Sequence, residues 1–204
     1  MRQAYFISGI GTGVGKTLVS AILTEKLGAD YWKPVQSGDL HASDSMSVAA
    51  LISNDRTRIH DEGYRLNNPL SPHASASLDG ITIKPELLKL PETGNDLIVE
   101  GAGGLMVPLN ERFLVSDLMA QLGLPVILVS RDYLGSINHT LLSWYMVKQA
   151  GLPLKGIIFN GAENAESRRY ILQYTGMELL GEIPELDKIN QEVVRAMAEK
   201  INLT

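Results

Sequence analysis

The stretch Gly9-Ile10-Gly11-Thr12-Gly13-Val14-Gly15-Lys16-Thr17 decides how this chain is read. An apolar run over residues 3–8 precedes it and reads as a strand, and residues 17–27 follow with a helical pattern. A glycine-rich turn between a strand and a helix lets backbone N–H groups converge on an anion, and the helix dipole adds to the attraction. Lys16 can neutralise the β- and γ-phosphates of a nucleoside triphosphate, and the Thr17 hydroxyl can hold Mg²⁺. The segment is a P-loop with one departure. Five residues separate Gly9 from Gly15 where the usual pattern has four, and Ile10 stands in place of its first glycine. A dinucleotide fingerprint needs Gly-x-Gly-x-x-Gly. Counting from Gly9 the sixth residue is Val14, and from Gly11 it is Lys16, so no register supplies it. Asp30 lies near the position of a ribose-binding acid, but a lysine followed by threonine at a helix start belongs to triphosphate chemistry.

Outward from the loop, short apolar runs alternate with longer segments of helical period. Strands are expected at residues 3–8, 31–35, 96–100, 125–130, 154–160 and 177–183, with a further one near 59–64. Helices are expected at 17–27, 44–52, 71–78, 84–90, 116–122, 137–150, 163–174 and 187–201. Pro72 falls at the first helical position, which favours proline. Continuous apolar strands between helices imply a sheet covered on both faces. The fold class is therefore α/β: a doubly wound, mainly parallel sheet flanked by helices, as one domain over residues 1–204. Ligands of such folds lie outside the carboxyl ends of the strands. That directs attention to residues 9–17, 33–44, 100–110, 130–138 and 160.

Composition narrows the function classes. The 204 residues carry 18 Lys and Arg against 23 Asp and Glu, a net charge of −5, which argues against a general nucleic-acid binder. With no cysteine, disulfides, thiolate metal sites, Fe–S clusters and cysteine nucleophiles are excluded; that is compatible with a reducing cytosol without proving one, and the cytoplasm is the expected location. The glycine loop begins by Gly9, which leaves no room for a signal peptide ahead of it. No apolar run approaches the ~18 residues of a membrane span, so no membrane association is expected.

Two acids are placed to help Thr17 hold Mg²⁺, which takes oxygen ligands, usually one or two carboxylates with phosphates and waters. Glu100 ends the apolar strand Asp96-Leu97-Ile98-Val99 and precedes Gly101-Ala102-Gly103-Gly104. Asp44 opens a helix, either as a ligand or merely as its N-cap. Lys33, in Lys33-Pro34-Val35-Gln36-Ser37-Gly38, ends the second strand. It is either a solvated strand-end cation or a second charge facing the P-loop, placed to stabilise a transferred phosphoryl group. His41, His60, His73 and His139 have no metal-ligand spacing.

These pieces resemble the dethiobiotin synthetase family, ATP-dependent cyclo-ligases of biotin synthesis. The resemblance rests on the five-spaced loop, on Lys33-Pro34-Val35-Gln36-Ser37-Gly38, Ser43-Asp44, Ser71-Pro72-His73 and Val99-Glu100-Gly101-Ala102-Gly103-Gly104. It continues through Leu124-Pro125-Val126-Ile127-Leu128-Val129, Gly135-Ser136-Ile137-Asn138-His139-Thr140 and Gly181-Glu182-Ile183-Pro184, in family order over nearly the whole chain. The resemblance implies carboxylation of the vicinal diamine diaminopelargonate with CO₂, phosphorylation of the carbamate by ATP, and closure to a cyclic urea. It implies a catalytic set of Lys16, Lys33 and Thr12, and nucleotide contacts from Gly13, Val14, Gly15, Lys16, Thr17, Asn160 and Pro184. Thr17, Asp44 and Glu100 would hold Mg²⁺. Ser37 would lie near the carbamate. Gly135, Ser136 and Asn138 would bind the substrate's tail carboxylate across a homodimer, at the free N–H groups of a helix start. On sequence alone Ser136 could equally be a simple helix cap. The family loop commonly reads Gly-Thr-Asp-Thr-x-Val-Gly-Lys-Thr. Here Ile10, Gly11 and Gly13 replace its threonine, its aspartate and the acid often found at the variable place. The phosphate cradle needs N–H groups rather than those side chains.

Three other classes fit less well. Partition-type switch ATPases carry a lysine early in the loop, where this chain has Gly11. Corrin amido-ligases usually add a glutaminase domain with a catalytic cysteine, which this chain lacks. A non-catalytic nucleotide-binding scaffold has no use for Lys16, Thr17, Asp44 and Glu100 together.

Overall fold

The computed structural model describes residues 2–203. The strands are β1 (Ala4–Gly9), β2 (Asp30–Trp32), β3 (Val35–Ser37), β4 (Tyr64–Leu66), β5 (Leu97–Gly104), β6 (Val126–Arg131), β7 (Leu154–Asn160) and β8 (Leu179–Ile183). The helices are α1 (Lys16–Leu27), α2 (Asp44–Leu51), α3 (Pro72–Leu78), α4 (Val115–Leu122), α5 (Ser136–Gln149), α6 (Ala165–Thr175) and α7 (Gln191–Lys200). Six strands form one parallel sheet in the order β2-β5-β1-β6-β7-β8, and β3 and β4 pair separately, also in parallel. Phe6 and Ile7 of β1, Ile98 and Val99 of β5, residues 126–129 of β6 and residues 157–159 of β7 are fully buried. Each such side chain contributes about 1.5–3 kcal/mol of burial, which is why the central strands read as unbroken apolar runs. Among the described residues no helix is long and apolar enough to cross a membrane.

The order of the sheet lays the site out in a line. Following β1, the central glycine loop opens α1, with Glu100 one strand away on β5 and Lys33 one further, just past β2. On the other side stand β6, then Asn160 at the end of β7, then Pro184 just past β8.

Several expectations need correction. The strand expected at 31–35 is two strands in different sheets, β2 and β3. Pro34 lies between them and has no N–H to give a ladder; its carbonyl instead accepts the Tyr64 N–H at 3.0 Å. The strand expected near 59–64 is β4, shifted to Tyr64–Leu66, with Ile59 making only an isolated bridge to Tyr31. The helix expected at 84–90 is a single 3₁₀ turn over Pro85–Leu87. The last helix begins at Gln191 rather than 187, because the Asn190 side chain caps it by accepting the Val193 N–H. Likewise Asn164 caps α6 through the Ser167 N–H, moving its start past 163. Strand β5 runs on through the glycines to Gly104, which pairs with Gly9.

Candidate active site

The carboxyl ends of β2, β5 and β1 surround a cavity of about 610 Å³, lined among others by Thr12, Lys16, Thr17, Lys33, Asp44 and Glu100. Ser43 is the N-cap of α2, its hydroxyl accepting the Met46 N–H and donating to Glu62 Oε1 at 3.0 Å. Asp44 is therefore not the cap of α2. It is the first helical residue, and its carboxylate turns to Lys33 and Thr17.

Lys33 is buried. Its ammonium lies 2.6 Å from Asp44 Oδ2 and 3.0 Å from Glu100 Oε1, and donates to the Gly101 carbonyl at 3.1 Å. Burial alone would lower the Lys33 pKa, but the two carboxylates outweigh it and raise it above the ordinary value. Lys33 is therefore a fixed cation at neutral pH and no proton acceptor. Burial would likewise raise Asp44, yet the Lys33 ammonium and the Thr17 hydroxyl hold it below the usual carboxylate range. Tyr31, fully buried, donates to Glu100 Oε2 at 2.9 Å. Burial and then the Glu100 charge push its phenol well above its ordinary pKa, so it remains a donor.

Thr17 Oγ1 lies 2.9 Å from Asp44 Oδ1 and 3.0 Å from Glu100 Oε1. A hydroxyl has one proton, so it can donate to only one of these oxygens at a time. Three hard oxygen donors converging with one proton among them suit a divalent cation, and Mg²⁺ in particular takes one or two carboxylates and leaves the rest of its shell to phosphates and water. Among the described residues there is no all-protein cluster of three or more His, Asp or Glu for a metal. The donor set thus fits a cation that arrives with a phosphate ligand.

In the glycine loop, Lys16 is buried, and its ammonium donates to the Gly11 carbonyl at 2.9 Å. Burial, then repulsion from Lys33, pushes its pKa down to about 8. Gly15 adopts φ +95°, and a Cβ there would lie 2.1 Å from Asn160 Nδ2. Asn160 in turn donates to the Val14 carbonyl at 2.9 Å. The end of β7 is thereby fastened to the glycine loop. Ser37 Oγ lines the same cavity, buried and without a hydrogen-bond partner.

Gly135, Ser136 and Asn138 are not part of this cavity. They line a larger one of about 920 Å³ with Tyr133 and Tyr170. Size does not make it the reaction site, because the network of Lys33, Asp44, Glu100 and Thr17 lies in the smaller cavity. The alternative of Ser136 as a helix cap does not hold: Gly135 is the N-cap of α5, no side chain caps it, and Ser136 is buried as the first helical residue. Its N–H bonds to the Tyr133 carbonyl at 2.9 Å.

Residues outside the sequence reading also shape the site. Tyr31 fixes Glu100, and nothing in its apolar strand signals this. Gln36 takes the Asp44 N–H at 3.2 Å on its Oε1 and donates from Nε2 to the Gly38 carbonyl at 3.0 Å. Arg168, buried on α6, binds Asp132 at 2.6 Å, Glu182 at 2.9 Å and the carbonyl of Gly161 at 3.2 Å, tying together the ends of β6, β7 and β8.

Residues 3–193 match the family model described as an AAA domain. The chain is 51% identical over 200 residues to an ATP-dependent dethiobiotin synthetase BioD of Cytophaga hutchinsonii, covering 98% of this chain and 97% of that protein. It is 44% identical over its full length to the same-named protein of Agrobacterium fabrum, covering 96% of it. Among solved structures, the cell division ATPase MinD of Pyrococcus furiosus matches with a TM-score of 0.63 at 16% identity, covering 98% of each chain. A ParA family ATPase from Chlorobium tepidum matches at 0.59 and 14% identity, covering 97% of this chain and 91% of that one. At such identities the two ATPases share the fold alone, whereas near-complete coverage at half identity places the chain in the ATP-dependent dethiobiotin synthetase family.

Proposed function

We propose that this chain carboxylates 7,8-diaminopelargonate with CO₂ and closes it to dethiobiotin, converting ATP to ADP and phosphate with Mg²⁺. The observation that carries this reading is the second buried cation. Lys33 sits between Asp44 and Glu100 on the cavity that Lys16 also lines. A carbamate and a γ-phosphate are both anions, and bringing them together needs positive charge on two sides. One amine takes up CO₂ and loses a proton, giving the carbamate. A carbamate oxygen attacks the γ-phosphorus and ADP leaves. The second amine attacks the resulting carbamic-phosphoric carbon, loses a proton, and expels phosphate as the ring closes.

In this reading the N–H groups of Gly13, Val14 and Gly15 cradle the phosphates, and Lys16 holds the β- and γ-oxygens. Thr17, Asp44 and Glu100 are the residues for Mg²⁺, which supplies charge neutralisation on the transferred phosphoryl group. Lys33 holds the carbamate against it, with Thr12 and the unpartnered Ser37 hydroxyl beside the substrate. Asn160 and Pro184 receive the adenine. Gly135, Ser136 and Asn138 of a second copy take the substrate's tail carboxylate. A homodimer is supported by exposed apolar side chains: Leu134, beside Gly135, is fully exposed, and Met106, Leu142 and Tyr145 are more than half exposed. The whole of residues 1–204 is read as one ligase domain acting in the cytoplasm. The reaction is tested by product mass, which should exceed the diamine by one carbonyl less two hydrogens. With ¹⁸O-labelled CO₂, the phosphate should carry one label. An unlabelled phosphate, or a product retaining both amines, contradicts the route.

Lys16 also gives a pH signature. Its folded pKa of about 8 lies below the ordinary lysine value, so its charge is a penalty in the free protein, present below that pKa and relieved as pH rises through it. Phosphates beside the ammonium favour the charged form and raise the pKa again. ATP binding near pH 8 should therefore take up about half a proton, and much less at pH 6. Calorimetry in buffers of different ionisation enthalpy measures this. Uptake equal at both pH values, or unchanged in Lys16→Met, contradicts it.

A further inference from the structure

Among the ionisable side chains lining the reaction cavity, Lys16 and Lys33 balance Asp44 and Glu100, and Asp39 is the charge left over. Asp39 is exposed and, among the described residues, has no ion pair or side-chain hydrogen bond. It is also the one described non-glycine residue in the left-handed backbone region, at φ +52°. L side chains resist that region, and aspartate and asparagine tolerate it best. Residues held in such conformations persist where the surroundings fix them, and they gather at ligand sites.

The surroundings do fix this turn. Gly38, at φ +73°, packs so close to Pro69 that a Cβ would lie 2.5 Å from its Cα. The Gly38 N–H donates to the Leu66 carbonyl and the Ala42 N–H to the Asp39 carbonyl, both at 2.8 Å. Gln36 holds the Gly38 carbonyl with one end of its amide and the Asp44 N–H with the other. One buried glutamine thus couples the position of Asp39 to the start of α2. The result is a carboxylate carried on a fixed turn at the cavity wall, with no partner among the described residues.

We propose that Asp39 binds the ammonium of the amine substrate and makes the cavity select for a cation. This rests on the ligase reading. Alkylamines hold their proton up to a pH of about 10, so a diamine arrives with at least one ammonium. Lys16 and Lys33 repel it, Asp44 and Glu100 are engaged with Lys33 and Thr17, and the glycine loop at residues 9–17 contains no acid. Asp39 is the carboxylate free to accept a charge-assisted hydrogen bond.

The test compares Asp39→Asn with the unsubstituted chain. Asparagine keeps the left-handed turn, so the melting temperature should agree within about 2 °C. Asp39→Gly, which removes the backbone strain, serves as a second variant should the first be destabilised. Calorimetry without nucleotide would titrate each protein with the diamine and with nonanoate, the same fatty acid lacking amines. Loss of one charge-assisted bond should weaken diamine binding about tenfold or more, leaving nonanoate binding unchanged. Diamine affinity within twofold of the unsubstituted chain overturns the proposal, as does an equal loss for nonanoate. If the unsubstituted chain binds nonanoate but no diamine, the ligase reading fails with it.

Discussion

Replacing Lys33 with methionine should lower the melting temperature by on the order of 10 °C and abolish ring closure. The reason is electrostatic. Lys33 is the cation between Asp44 and Glu100, and Glu100 is almost wholly buried. Removing one partner of a buried ion pair leaves an uncompensated charge and costs about 3–5 kcal/mol. For a domain of this size each kcal/mol shifts the midpoint by about 2–4 °C. In the proposed reaction the variant also loses the charge that would hold the carbamate, so activity should fall further than stability explains. The double variant Lys33→Met/Asp44→Asn separates the two effects. It relieves one of the two stranded carboxylates and should regain part of the stability, with no recovery of product. A Lys33→Met protein that melts within a degree of the unsubstituted chain contradicts the network described here.

Gly15→Ala should weaken ATP binding at least tenfold, while Gly13→Ala should have a much smaller effect. Both glycines have positive φ, +95° at Gly15 and +74° at Gly13, so both substitutions carry backbone strain of about 1–2 kcal/mol. They differ in what the new methyl meets. At Gly13 no atom lies within 4 Å of the added Cβ, whereas at Gly15 it meets Asn160 Nδ2 at 2.1 Å and Cγ at 2.9 Å. Asn160 must then leave, losing its bond to the Val14 carbonyl and, in the proposed function, its place beside the adenine. Nucleotide titration of the two variants checks this. Equal losses in both would mean that strain alone matters and that Asn160 is not seated against the loop.

The parts of the site that sequence made legible are those fixed by local chemistry. A lysine and threonine at a helix start, an acid in an apolar strand and another opening a helix stand out locally, and the fold brings them to one cavity. The doubly wound sheet followed from continuous apolar runs such as 126–129 and 157–159. What was hidden depended on distant partners. That Asp44 is not the helix cap depends on Ser43, whose hydroxyl takes that place and leaves the Asp44 carboxylate to Lys33 and Thr17. Glycines 101, 103 and 104 read as loop because their own preference is weak, yet pairing of Gly104 with Gly9 carries the strand to the cavity. Pro34 split a strand that its apolar neighbours suggested was continuous. The Tyr31 hydroxyl, reaching Glu100 from a core position, has no sequence signal at all. Nor does the left-handed backbone of Asp39, which depends on the approach of Gly38 to Pro69.

The most direct test of the central claim is ADP formation by the purified chain with Mg-ATP, adding bicarbonate and diaminopelargonate singly and together. Two cations facing one cavity are placed to bring a carbamate and a phosphate together, so hydrolysis should wait for the carbamate. ADP should appear only when both additions are present. ADP released at the same rate without the diamine would contradict the ligase and point to a switch ATPase on the same fold.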